Sequence, residues 1–481
     1  MSVLEIPMSH TPIAPQPAPT STPTTAPTSM AASRPLGSPW PAGARELGVH
    51  TANDLTVGGL RLTDLADRHG TPLYVLDETE VRTRARAYRS ALPDASIHYA
   101  AKAFLCGAMA DWVRDEGLGL DVCSENELAL ALAHGFPAAR IILHGNAKTE
   151  SELRLAVRTG VGRIVVDSFS EIAHLAALAR SDRPQGVYVR VVPGIEAGHH
   201  ASVRTGVDDQ QFGFPLGGRE GVAEAVARIL AQPRLRLAGL HCHLGSQISQ
   251  TGPYLEAADR LVDLMAELRE RFGVGLPELD LGGGHAIAYR HGESDLDPTR
   301  LAARLLPRLR EHCAVRGIRV PRLVFEPGRA IAGPAGVALY RVLAVKHSGA
   351  GTRFIAVDGG MSDNPRPALY GAAYTARLVG RHAGPLEPAR VVGRHCEAGD
   401  VLIRDAHLPS DARPGDLLAV PAAGAYQLSM ASGYNLVGRP ALVGVRDGAE
   451  QLLQRRETLD DILRREIGEI REAGEISARC P

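Results

Sequence analysis

Eight short runs of β-branched and other apolar residues recur in the middle of the chain, and segments with helical spacing separate them. Alternation of strand and helix is typical of parallel strands joined by right-handed crossovers. Eight such units predict a closed (β/α)8 barrel of the TIM type, with a doubly wound open sheet as the alternative architecture. The runs span residues 96–101, 118–122, 140–144, 163–167, 187–192, 237–242, 278–282 and 322–326.

The pattern changes from about residue 340, where short strand-like runs alternate with Gly, Pro and Asp turns and no long helices intervene. This pattern predicts an all-β second domain. The start of the chain is rich in Pro, Thr, Ser and Ala, and it has too little apolar surface to offset the entropy cost of ordering. The predicted organisation is a disordered tail over 1–43, a segment joining the β domain over 44–75, the barrel over 76–335, the C-terminal β domain over 336–456 and an amphipathic helix over 457–481.

Charge and cysteine usage exclude several classes of protein. Lys plus Arg is 53 and Asp plus Glu is 54, so no basic surface for nucleic acid is expected. No apolar run approaches the roughly 18 residues that a membrane helix needs. The six cysteines are far apart and form no C-x-x-C pair, which favours a reducing cytoplasm over a disulfide framework. We therefore predict a cytoplasmic protein that binds neither nucleic acid nor membrane.

Polar residues follow the predicted strands, and in a barrel these positions gather at the face where active sites form. A lysine there can form an imine with an aldehyde cofactor. Glycines let backbone N–H groups approach a phosphate, an arginine can bind the phosphate, and a glutamate can keep a pyridine nitrogen protonated. The residues that follow the first, sixth, seventh and eighth runs are Lys102, His243 with Ser246, Gly282 with Gly283 and Gly284, and Glu326 with Arg329.

Two short motifs leave their chemistry open. His241 and His243 alternate on a strand, so they are a candidate metal pair, a ring-stacking histidine beside a phosphate site, or core histidines. No third histidine or carboxylate at usable spacing completes a metal site, and we predict none. Cys396 beside Glu397 can supply a proton and hold an ammonium, although a free cysteine is more often a small buried apolar residue.

Eight motifs in one order carry a family resemblance: YAAKA, HGNAK, HCHLGSQ, LGGG, EPGR, DGGMSDNPRPALYGA, VVGRHCEAGD and GAYQLSMASGYN. Together they resemble the fold-type III decarboxylases that depend on pyridoxal 5'-phosphate (PLP), whose fold is like that of alanine racemase. The closest resemblance is to the diaminopimelate decarboxylase family of the actinobacterial kind. It covers residues 47–456 and implies a homodimer with shared active sites.

The resemblance implies a role for each matching residue. Lys102 resembles the lysine that holds the cofactor as a Schiff base, and Cys396 resembles a proton donor that enters the other subunit's site. The implied cofactor contacts are His243 at the ring, Ser246, Gly282, Gly283 and Gly284 at the phosphate, Glu326 at the ring nitrogen, Arg329 at the phosphate or the substrate, and Tyr426. The implied substrate contacts are Arg329, Arg366, Tyr370, Tyr426 and, from the other subunit, Glu397.

The implied reaction is the conversion of meso-2,6-diaminopimelate to L-lysine and carbon dioxide, the last step of lysine biosynthesis. Three alternatives stay open: a paralogous decarboxylase of another basic or carboxylated amino acid in a specialised pathway, a PLP racemase, and a non-catalytic homologue without cofactor. The chain departs from the family pattern at Glu125, Asn126, Gln211, His285 and Gly433, which leaves room for a shifted substrate.

Overall fold

The structure is a computed structural model that describes residues 38–41, 44–46, 54–196, 211–381 and 384–467. Most of the predicted N-terminal tail therefore lies outside the described residues. So does the end of the predicted C-terminal helix, beyond residue 467. No helix in these described ranges combines the length and the apolar content that crossing a membrane requires.

The N-terminal part of the described chain forms a small antiparallel sheet, a helix and one strand of a larger sheet. Asp77 caps the helix that follows this strand, because its side chain accepts a hydrogen bond from the Glu80 backbone at 3.2 Å. The elements are β1 (Arg45–Glu46), β2 (Leu55–Val57), β3 (Leu60–Arg61), α1 (Leu62–His69), β4 (Leu73–Asp77) and α2 (Glu78–Ala91).

Eight parallel strands then close into a barrel, because the last of them pairs with the first. Each of the eight predicted runs overlaps one of these strands, so the predicted barrel is confirmed and the open-sheet alternative is wrong. A short strand, β10 (Phe214–Pro215), pairs in parallel with the end of the fifth barrel strand. The barrel strands are β5 (Ser96–Ala100), β6 (Gly119–Val122), β7 (Ile141–Leu143), β8 (Arg163–Val166), β9 (Gln185–Val192), β11 (Leu235–His241), β12 (Glu278–Asp280) and β13 (Arg322–Phe325).

Helices follow the barrel strands, and three of them begin at a hydroxyl cap. Ser124, Thr149 and Ser168 each accept a hydrogen bond from the backbone N–H three residues later. These caps start a helix soon after a strand ends and so keep each connecting loop short. The helices are α3 (Gly107–Asp115), α4 (Glu125–Ala133), α5 (Glu150–Thr159), α6 (Phe169–Leu178), α7 (Val222–Leu230), α8 (Gly252–Phe272), α9 (Pro298–Val315) and α10 (Arg329–Ala332).

The remaining elements form the predicted β-rich unit. Its main sheet has the order β18-β17-β15-β14-β4-β20-β21, so β4 from the N-terminal side lies between two strands from the C-terminal side. The elements are β14 (Gly336–His347), β15 (Arg353–Val357), α11 (Arg366–Tyr370), β16 (Arg377–Val379), β17 (Leu386–Val392), β18 (Val401–Pro409), β19 (Leu417–Pro421), β20 (Ala441–Arg446), β21 (Ala449–Gln454) and α12 (Leu459–Leu463).

The pairing of β4 bears on the predicted domain organisation. β4 pairs antiparallel with β14 and parallel with β20, and it crosses the predicted boundary at residues 75 and 76. Leu62 and Leu65 of α1 pack with Leu73 and Val75 of β4 in a second buried cluster, apart from the main core. The domain boundaries stay a prediction, while the contacts place this N-terminal segment against the β sheet.

Candidate active site

A cavity of about 820 Å³ lies at the carboxyl ends of the barrel strands, and residues of the β-rich unit complete its wall. Nine of the predicted site residues line it. They are Lys102, His243, Ser246, Gly284, Glu326, Arg329, Arg366, Tyr370 and Tyr426. The chain contains three lysines, Lys102, Lys148 and Lys346, and Lys102 is the one that lines this cavity.

Lys102 lies in a short turn directly after β5, and its side chain extends into the cavity. Burial lowers the pKa of the Lys102 amine, but the neighbouring acidic groups, of which Asp121 acts most strongly, together outweigh burial and raise the pKa above its ordinary value. Tyr426, with a left-handed φ of 57°, donates its backbone N–H to the Ala103 carbonyl at 2.8 Å. The Ser429 hydroxyl donates to the same carbonyl at 3.0 Å, so the β-rich unit fixes the lysine turn.

The loops after β11 and β12 approach each other closely at one end of the cavity. A Cβ atom on Gly284, whose φ is +87°, would lie 2.1 Å from the Gly245 carbonyl oxygen. The Gly283 backbone N–H donates to His243 Nδ1 at 3.3 Å. Burial and the charge of Lys102 hold the pKa of His243 well below its ordinary value, so its ring is neutral. Arg329 Nη2 donates to the Ser246 hydroxyl at 2.8 Å.

The floor of the cavity is a buried cluster of carboxylates and imidazoles. Glu326 is 3% exposed, and its oxygens lie 2.7 Å from His144 Nε2 and 3.5 Å from His241 Nε2. Burial would raise the pKa of Glu326, but the two histidines outweigh burial and hold the pKa well below its ordinary value. Burial and neighbouring carboxylates raise the pKa values of Asp121 and Asp280. Glu326 is therefore the carboxyl group in this cluster whose pKa the neighbours lower.

The same cluster bears on the predicted absence of a metal. Within the described ranges, the donor atoms of His144, His241 and Glu326 lie within 4.8 Å of one another, which is close enough to hold an ion. The rings of His144 and His241 are 4.9 Å apart, edge to face. The fold thus groups His241 with His144 and Glu326, and not with His243 as the candidate metal pair required. The absence of a metal stays a prediction.

Two arginines and two tyrosines, Arg329, Arg366, Tyr289 and Tyr370, form another part of the wall, and Tyr374 contacts two of them. Arg366 begins α11, and its Nη1 donates to the Tyr374 hydroxyl. Tyr370, one helical turn later, lines the cavity beside it. Arg329 Nη1 donates to the Tyr289 hydroxyl, and the Arg366 guanidinium lies 4.9 Å from the Tyr289 ring centre.

Cys396 and Glu397 are exposed, and they do not line the cavity of their own chain. The loop that carries them is nevertheless held firmly. Asp400 accepts hydrogen bonds from the backbone of Met361 at 2.7 Å and of His395 at 2.9 Å. His395 Nε2 also lies 2.9 Å from the Ser362 hydroxyl. The fold thus presents both side chains at an ordered tip facing outwards.

The five departures from the family pattern lie outside the lining of the cavity. His285 is the most buried of them, at 1% exposure, and its Nδ1 lies 2.7 Å from the Tyr88 hydroxyl. The two rings stack at 5.4 Å, and the Tyr254 ring meets His285 edge on. Burial lowers the pKa of His285 to about 3, so the side chain packs as a neutral aromatic ring.

Sequence reasoning missed His144 and Tyr289, which line the cavity, and Tyr374, which accepts a hydrogen bond from Arg366. His144 ends the third predicted run, so the rule that polar residues at strand ends form the site would have found it. Tyr289 lies in the long loop after β12, and Tyr374 lies in the loop after α11. Neither loop has a regular spacing that indicates which side chains turn inwards.

Comparisons with known proteins show the family of the chain. The family model for the pyridoxal binding domain of pyridoxal-dependent decarboxylases matches residues 78–333. A diaminopimelate decarboxylase of Actinosynnema pretiosum is 55% identical over 429 residues, covering 89% of this chain and 95% of that protein. One from Corynebacterium efficiens is 48% identical over 438 residues, covering 89% and 94%.

A solved structure supports the same relationship. The diaminopimelate decarboxylase of M. jannaschii in complex with L-lysine has a TM-score of 0.82 at 28% identity, covering 89% of this chain and 98% of that one. The predicted resemblance is therefore confirmed. The chain belongs to the pyridoxal-dependent decarboxylase family and, within that family, to the diaminopimelate decarboxylases.

Proposed function

We propose that this protein decarboxylates meso-2,6-diaminopimelate to L-lysine and carbon dioxide, with PLP as its cofactor. The observation that carries the proposal is the pairing, in one cavity, of Lys102 with the negatively charged Glu326. The relatives named above bear this activity in their names, and the M. jannaschii protein binds L-lysine, the proposed product. The reaction makes the protein a carboxy-lyase of lysine biosynthesis.

The residues present fit PLP. The close approach at Gly284 leaves room for backbone but no side chain, as a phosphate cradle requires, and Ser246 with Arg329 adds polar donors there. Gly282 and Gly283 continue this cradle, and His243 is a neutral ring that can stack on the cofactor. Lys102 would hold the aldehyde carbon through Nζ, and Glu326 would hold the ring nitrogen. When bound, the cofactor supplies an electron sink for the electrons that departing carbon dioxide leaves behind.

The cavity also fits a substrate with a second charged end. Arg366 and Tyr370 lie on one helical turn, where they would bind the carboxylate that the reaction leaves in place. Tyr426 stacks its ring 4.5 Å beneath the Arg329 guanidinium and would contact both cofactor and substrate. These residues orient the reacting end against Glu326 and Lys102, which is how positioning lowers a barrier.

We further propose a homodimer in which each chain completes the other's site. The support is that Cys396 and Glu397 stand exposed on an ordered loop tip, outside their own chain's cavity. In the partner's site, Cys396 Sγ would return a proton to the substrate carbon and Glu397 would hold the distal ammonium. Five free cysteines in the described chain agree with a cytoplasmic location.

The experiment that tests the function is a panel of amino acids incubated with purified, cofactor-saturated protein. We expect carbon dioxide release from meso-2,6-diaminopimelate and release at least about a hundredfold slower from lysine, ornithine and arginine, because none of these carries a second carboxylate. Amino-acid enantiomers in the products are measured in parallel, since a racemase would scramble them without releasing gas. Faster release from another amino acid, or racemisation alone, would contradict the proposal.

A further inference from the structure

Two guanidinium groups are buried in the wall of the cavity. Arg329 is 8% exposed and Arg366 is 6% exposed. Neither has a carboxylate partner within 4 Å among the residues that the structure describes. Buried charges are normally paired, so two unpaired cations in one wall need a group that holds them apart and satisfies their N–H donors.

Tyr289 stands between the two arginines. Its hydroxyl accepts a hydrogen bond from Arg329 Nη1, and its ring lies against the Arg366 guanidinium at 4.9 Å. Burial would raise the pKa of the Tyr289 phenol, but the charges of Arg329 and Arg366 outweigh burial and lower it. Tyr289 thus contacts both cations, with its hydroxyl on Arg329 and its ring against Arg366.

The position of Tyr289 is itself fixed. Its backbone N–H donates to Glu293 Oε2 at 2.8 Å, and the preceding residue donates to Asp295 Oδ1 at 2.7 Å. The Tyr374 ring meets the Tyr289 ring edge on at 5.1 Å, and the Tyr374 hydroxyl accepts from Arg366. The two tyrosines therefore hold Arg366 from two sides, while Tyr289 alone of the two also contacts Arg329.

We infer that Tyr289 is a positioning residue that sets substrate specificity. It holds Arg329 at the phosphate end of the cavity and orients Arg366 towards the remote carboxylate of the substrate. The inference rests on the proposed function and deepens it. The fixed wall selects for an amino acid that carries a carboxylate at the end remote from the reacting carbon. Without the phenol oxygen, Arg329 loses this acceptor and can shift towards Arg366, and repulsion between the two cations then disturbs the orientation of Arg366.

The test is ligand binding to the cofactor-loaded protein, followed by the change in visible absorbance. L-lysine keeps the remote carboxylate, whereas cadaverine has the same chain and both amines but no carboxylate. We expect the wild type to bind lysine more tightly than cadaverine. In Tyr289→Phe the dissociation constant for lysine should rise about tenfold, which corresponds to about 1.4 kcal/mol, and that for cadaverine should stay within a factor of two.

A matched control separates this effect from general loosening of the fold. Tyr88→Phe also removes one buried phenol hydroxyl, here the one 2.7 Å from His285, and Tyr88 does not line the cavity. It should leave the lysine-to-cadaverine preference unchanged. If Tyr289→Phe does not fold, Tyr374→Phe removes the hydroxyl that accepts from Arg366 and should reduce the same preference.

Each outcome decides. Equal weakening of lysine and cadaverine in the folded variant would make Tyr289 structural, and an unchanged or stronger preference for lysine would overturn its positioning role. Failure of the proposed function looks different. In that case the wild type itself shows no preference for lysine and releases no carbon dioxide from diaminopimelate.

Discussion

Lys148 forms a buried ion pair beside the active site, and its loss should cost much of the protein's stability without loss of the cofactor. Its Nζ lies 2.6 Å from Glu171 Oε1, and the two side chains are 1% and 6% exposed. It also donates to the carbonyls of Gly145 at 2.7 Å and Val165 at 2.5 Å. Lys148→Met leaves Glu171 buried without its cation, which costs about 3–5 kcal/mol.

The double variant Lys148→Met/Glu171→Leu should recover part of this loss, because it buries no unpaired charge. We expect it to be about 1–3 kcal/mol less stable than the wild type, since two carbonyls still lack their donor. Urea unfolding of cofactor-saturated protein, followed by circular dichroism, measures the wild type, Lys148→Met, Glu171→Leu and the double variant. Lys346→Met, on the exposed end of β14, is the matched control and should change little.

The pH dependence gives a second check on the same pair. Burial already raises the pKa of Glu171 above its ordinary value, against the pull of Lys148. Without Lys148 the pKa of Glu171 rises further. A carboxyl group whose pKa is raised in the folded state destabilises the fold at high pH, and this cost disappears as the pH falls and the group takes up a proton. The gap between Lys148→Met and wild type should therefore shrink from pH 8 to pH 5.5. The reasoning would be refuted if the difference in unfolding free energy between Lys148→Met and wild type did not change with pH. It would also be refuted if the losses in Lys148→Met and Glu171→Leu simply added in the double variant.

Three further predictions concern the chemistry. Lys102→Ala should abolish the visible absorbance of freshly purified protein, and borohydride labelling of the wild type should mark Lys102, not Lys148 or Lys346. Glu326→Gln should slow carbon dioxide release by at least about a hundredfold while cofactor stays bound, because an amide cannot stabilise a protonated ring nitrogen; near-normal turnover would make Glu326 structural. Inactive Cys396→Ala and inactive Lys102→Ala chains, allowed to exchange, should recover roughly a quarter of wild-type activity on the symmetric-dimer premise; no recovery in verified mixed dimers would place Cys396 outside the partner's site.

The barrel could be predicted because its strands are buried on both faces and read as continuous apolar runs. Lys102, Ser246 and Glu326 could be placed in the cavity for the same reason, since each follows such a run and all strand ends meet at one face. His285 shows the limit of motif matching. It departs from the family pattern beside the glycines, yet it turns away from the cavity to stack on Tyr88.

Other parts of the site depend on contacts that a linear sequence does not encode by spacing. Tyr289 enters the wall from a loop whose shape is set by Glu293 and Gln247. The Gln247 side chain donates to the Ile287 carbonyl and accepts from the Ile287 backbone N–H, each at 3.0 Å. Cys396 points outwards from its own chain, so a single chain does not place it beside substrate. Its role depends on a second copy, and the sequence carries that information only through family resemblance.

The position of β4 has a consequence for synthesis on the ribosome. β4 leaves the exit tunnel early, but its neighbours β14 and β20 begin about 260 and about 360 residues after it ends. At roughly 5–20 residues per second, β4 waits about 13 to 50 s before its first neighbour exists. During that time it is an apolar strand with open edges, which can pair with another chain and lead to aggregation. The nascent chain can complete its barrel first. The β sheet then forms as the last step of folding, when β14 and β20, which follow the barrel in the sequence, pair with β4, which precedes it.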